Sequence, residues 1–79
     1  MKRGHIESVL MSIEAGDLVV YPAEKILGPG LITKILNRNR FGSNQDVLIE
    51  ILWSDSKSPT KAGINTLDVT KGWVSFILR

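Results

Sequence analysis

The sequence has no cysteine, a single histidine, three prolines and only 6% aromatic residues. Without cysteine there is neither a disulfide frame nor a thiolate metal site, so 79 residues must be held by a packed core. No apolar run approaches the ~18 residues a membrane span requires, and no membrane partner is expected. A secretory leader is not expected either: Lys2 and Arg3 give a basic start, but Glu7 and Glu14 interrupt the apolar stretch behind them. Charge of one sign is also scarce. Ten basic against eight acidic side chains leave a formal +2, too small a surplus to mark a nucleic-acid protein by itself. What is present is globular: 43% hydrophobic and 23% charged residues exclude a disordered chain, and the length holds one domain. The expected location is the cytoplasm of a host cell or a virion.

The chain divides into apolar runs of strand length separated by turn residues. Asp17–Tyr21 is a β-branched and aromatic run stopped by Pro22, and Leu31–Leu36 follows the Gly28-Pro29-Gly30 turn. The polar cluster Asn37–Gln45 predicts a hairpin loop. Val47–Trp53 predicts a third strand, with Val47, Ile49, Ile51 and Trp53 on the core side and Leu48, Glu50 and Leu52 on the other. Ser54–Lys57 predicts a tight turn, and Ser58–Ala62 a fourth strand that Pro59 confines to an edge. Asn65–Asp68 predicts one helical turn capped by Asn65 or Thr66, Val69–Lys71 a short closing strand, and Trp73–Leu78 an apolar final strand. Ile6, Val9, Leu10 and Ile13 fall on one helical face, so residues 1–15 predict a short helix or arm in front of a domain over 16–79. Short strands with regular turn signals indicate an all-β fold, a small antiparallel barrel of about five strands.

Chemistry-bearing patterns are sparse. His5 stands alone near the start, and Ser54 with Asp55 reads as a polar turn and not as part of a triad. Gly28-Pro29-Gly30 leads into a strand, where a phosphate loop would lead into a helix. No cofactor, no metal and no enzymatic activity are expected. Lys34, Arg38, Arg40 and Phe41 form the one basic cluster with an aromatic neighbour, a candidate nucleic-acid contact in which the cations meet phosphates and Phe41 stacks on a base. In the tail, Val74, Phe76 and Leu78 share one strand face, and Trp73 and Ile77 on the other are candidates for a protein interface.

Two stretches carry a resemblance. Gly16-Asp17-Leu18-Val19-Val20-Tyr21-Pro22, followed by Gly28-Pro29-Gly30-Leu31-Ile32, resembles the opening of Tudor-like, SH3-like barrels. Its wording is similar to the RNA-polymerase-interacting module of CarD-type regulators and transcription-repair coupling factors. Val47–Asp55, with its Leu-Trp-Ser-Asp turn, and Leu67 downstream resemble small barrel proteins encoded by tailed bacteriophages. The resemblances span about residues 16–70. They imply an SH3-like barrel that works by binding, either as a structural module docking on like or unlike virion subunits or as a module contacting RNA polymerase or nucleic acid. CarD-type regulators carry a second, helical DNA-binding domain for which this chain has no room, and none of their contact residues maps onto it.

Overall fold

The computed structural model describes residues 6–24, 28–54 and 56–78. In chain order the elements are α1 (Ile6–Ser12), β1 (Leu18–Val20), β2 (Gly30–Phe41), β3 (Asn44–Trp53), β4 (Thr60–Asn65), α2 (Thr66–Thr70) and β5 (Ser75–Ile77). All strand pairs are antiparallel, and the five strands form one sheet in the order β4-β3-β2-β1-β5. The chain is therefore a small all-β fold with two short helices. β4 and β5 are the sheet edges, and no ladder among the described residues joins them. His5 and Asp55 lie outside the described residues.

The core follows from the period-2 pattern of β3. Val47, Ile49 and Ile51 are at most 1% exposed, and Val19, Ile32 and Ile64 from the other strands, with Val74 just before β5, complete the same apolar layer. Trp53 ends this row as a partly buried side chain packed against the core. The helix α1 closes over one end by packing on β3 and α2. Leu10 and Ile13 are both fully buried. Each such side chain contributes about 1.5–3 kcal/mol, which a helix of seven residues needs because it is too short to persist alone. The apolar face anticipated at Val9, Leu10 and Ile13 is thus part of the one core.

Two sequence expectations need correction. The loop expected over Asn37–Gln45 is mostly strand: Asn37, Arg38, Asn39, Arg40 and Phe41 pair with Leu48, Val47, Asp46, Gln45 and Asn44. Only Gly42 and Ser43 remain as the turn. Gly42 takes a φ of 63°, and no non-glycine residue among those described has a positive φ, the pattern of a type II′ hairpin turn. The strand expected at Val69–Lys71 is instead the end of α2 and its C-cap. Asn65 and Asp68 form a reciprocal capping box there, each side chain accepting from the other's backbone N–H, which starts a helix that runs to Thr70. Gly30 opens β2. Its role is close approach: a Cβ there would lie 2.5 Å from Ile51 Cγ2 and 2.7 Å from Trp53 Cζ3, so the Trp53 ring lies directly over β2. The ring then meets Tyr21 at 5.9 Å between centroids, and its Nε1 donates to Thr60 Oγ1 at 3.2 Å.

β4 is an edge strand, as expected, but it runs Thr60–Asn65 and not Ser58–Ala62, so Pro59 precedes it; Asn65 caps the helical turn. In the tail, Val74 is 1% exposed and Phe76 packs on the core, whereas Leu78 lies past the end of β5 and is 37% exposed.

Candidate functional site

The ladder registers sort the basic cluster onto two faces. Side chains paired across antiparallel strands lie on the same side of a sheet. Arg38 pairs with buried Val47 and Arg40 with buried Gln45, so both belong to the core side. Lys34 pairs with Glu50 and Phe41 with Asn44, on the outward side. The structure therefore does not gather Lys34, Arg38, Arg40 and Phe41 onto one surface.

Arg38 is also occupied. Its guanidinium donates to the Met11 and Ile13 carbonyls and sits 3.6 Å from the Glu14 carboxylate. The Met11 carbonyl is in the last turn of α1 and that of Ile13 directly follows the helix, where the unpaired oxygens and the helix dipole favour a cation. Just beyond, the Asp17 carboxylate accepts from the Glu14 N–H at 2.8 Å and holds the bend into β1. No spacing in the sequence pairs residue 38 with residues 11 and 13, which are joined only by the fold.

The outward face carries the feature that sequence reasoning missed. Ile77 of β5 pairs with Leu18 of β1, Leu18 with Leu31 of β2, and Leu31 with Leu52 of β3. Four large apolar side chains thus form one row across four strands, opposite the core. Ile77 is 52% exposed and Leu31 40%, while Leu18 and Leu52 are partly buried. A charged row, Lys34–Glu50–Lys61, borders it on β2, β3 and β4, with the Thr33 hydroxyl donating to Glu50 Oε1 at 3.0 Å. An alternation test along each strand hints at outward Leu residues, but only the register shows that they align.

Trp73 stands apart from this row. It follows α2 in a turn closed by its own N–H on the Asp68 carbonyl, at 3.0 Å, and its side chain is 55% exposed. It lies four positions before Ile77 and outside β5, roughly 13 Å along an extended chain. Trp73 and Ile77 are therefore both exposed but belong to different parts of the surface.

A cleft of about 370 Å³ opens at the far end of the hairpin, lined by Phe41, Asn44, Asp46, Asn65, Thr66 and Leu67. The Thr66 hydroxyl fixes one wall: it accepts from the Gln45 N–H at 2.9 Å and donates to the Gln45 carbonyl, extending the β3–β4 ladder by one step after the backbone has turned helical. Among the described residues no three His, Cys, Asp or Glu side chains gather, and no helix is long and apolar enough to cross a membrane. Compared with models of protein families, with curated proteins and with solved structures, the chain matches none.

Proposed function

We propose that the chain is a non-enzymatic interaction module that docks on protein subunits, like or unlike, through the outward apolar row Ile77–Leu18–Leu31–Leu52. The row itself carries the reading: aligned apolar side chains across a sheet, bordered by charges, have the apolar centre and polar rim of a protein contact. The Leu-Trp-Ser-Asp resemblance favours a small structural protein of the kind tailed bacteriophages encode, working in a virion or in the host cytoplasm, with an SH3-like arrangement of its strands. The alternative is a transcription-related module that contacts RNA polymerase or nucleic acid through residues 34–41. It has less support, because the cluster is split between two faces and Arg38 already ties down α1.

Light scattering across a concentration series, and purification from the native source, test the reading with one variant. Leu31→Lys combined with Ile77→Lys should leave the melting transition in place, because both side chains point away from the core, and should abolish self-association or partner retention. An association that survives both charges overturns the proposal. For the alternative, nucleic-acid affinity should fall steeply as salt rises. Absence of binding at low salt removes it.

A further inference from the structure

We infer that the cleft between the β2–β3 turn and α2 binds an arginine side chain presented by a protein partner. Its two walls are apolar and open: Phe41 is 62% exposed and Leu67 52%. Between them lies Asp46, on the outward side of β3. The direct cross-strand neighbours of Asp46 are Asn39 and Asn65, and both are neutral. Its diagonal neighbours in the same registers, Asn37, Phe41 and Gly63, carry no cation either, nor does Leu67 of α2 in the cleft lining. Among the described residues Asp46 has no ion-pair partner.

The remaining polar groups select the sign and shape of the occupant. The backbone N–H groups of Asn65 and Asp68, which could have faced an anion, are already taken by the capping box. What is left is a carboxylate and the Asn44 amide, beside an aromatic face. Phosphate is disfavoured beside this carboxylate. A cation suits it. A guanidinium suits it better than an ammonium, being flat enough to lie against Phe41, weakly hydrated, and rich in donors for a carboxylate and an amide oxygen together. The volume is at the small end for ligand pockets, enough for one side chain and not for a large cofactor.

The inference extends the interaction-module reading to a second surface. The Leu31 and Ile77 variants do not touch this cleft, and Asp46→Asn does not touch the apolar row, so the two can fail separately. The test is a titration of the isotope-labelled chain, followed by amide shifts, with end-blocked Gly-Arg-Gly, Gly-Lys-Gly and Gly-citrulline-Gly peptides. The arginine peptide should give saturable shifts at Phe41, Asn44, Asp46 and Asn65–Leu67. The citrulline peptide, isosteric but neutral, should bind roughly tenfold more weakly, and Asp46→Asn should lose a similar factor for arginine. Phe41→Leu should cost about threefold. If Asp46→Asn perturbs folding, the arginine–citrulline ratio on the unaltered chain decides alone. Equal affinity for arginine and citrulline, equal affinity for arginine and lysine, or shifts centred elsewhere or absent would each overturn the assignment.

Discussion

Arg38 carries a formal charge yet serves as a tie between the hairpin and the end of α1. Arg38→Met keeps the length of the stem and loses both charge-assisted bonds to the Met11 and Ile13 carbonyls. A cost of about 1.5–3 kcal/mol is expected in urea unfolding, and Arg38→Lys should recover little of it because an ammonium cannot bridge two carbonyls as a fork does. Tyr21 gives a prediction in pH. Burial raises its phenol above the ordinary value of 10.0, and the Asp68 charge adds to the shift. The unfolded chain therefore releases this proton first. The stability this group contributes is fully present below pH 10.0 and is lost as pH rises through the higher folded value. Thermal melts into the alkaline range should show a shallower decline for Tyr21→Phe than for the parent chain; identical slopes would refute the assignment. Neither role could be read from the sequence. The burial of Val47, Ile49 and Ile51 could, because a strand with one buried face announces it every second residue, whereas a guanidinium reaching two carbonyls has no period.

At the scale of elements, the long β2–β3 hairpin explains what sequence reading catches and what it loses. Its base is legible because it is apolar on the core side. Its outer part, Asn39–Phe41 against Asn44–Asp46, is polar and resembles a loop, because the β2 side chains there are exposed and, although Gln45 of β3 is buried, no apolar side chain marks its inner face. The helix α2 was half legible: Asn65 marks its start, but the apolar Val69 that follows suits a strand and a helix equally. The Gly30–Trp53 contact offers a test of the base. Gly30→Ala places a methyl group against Ile51 and the Trp53 ring, and should destabilise the chain by about 1–3 kcal/mol as an overpacked site. A changed Trp53 fluorescence maximum should accompany it, because the ring must lift from β2. An unaltered melt would mean that the ring moves freely, and that the glycine is there for another reason.

For the molecule as a whole, α1, the sheet and α2 share a single apolar layer, which sequence division into an arm and a domain does not convey. Leu10 is the decisive residue. Leu10→Ala should cost about 2–5 kcal/mol, the range for a buried leucine, and calorimetry should still show one transition. A small loss, or a separate low-temperature transition, would restore the arm as an independent piece. The candidate surface is a whole-molecule property as well. Outward Leu18, Leu31, Leu52 and Ile77 sit far apart in the chain, so their alignment exists only after the sheet is assembled in register.

The pairing of β1 with β5 also sets the order in which the chain can acquire its shape. The β2–β3 ladder closes through a two-residue turn at a small entropic penalty, whereas Leu18 must find Ile77 across nearly the whole described length. Refolding should therefore be slow for the size of the chain, on the order of milliseconds to seconds, like other domains ruled by distant contacts. The nucleus should lie in the hairpin. Ile49→Val should chiefly slow refolding, and Phe76→Leu chiefly hasten unfolding. Stopped-flow traces showing the reverse would place the rate-limiting search elsewhere. Until β5 arrives, β1 has a bare edge and Ile77 has not yet joined the apolar row, so the surface proposed for docking is completed only in the last step of folding.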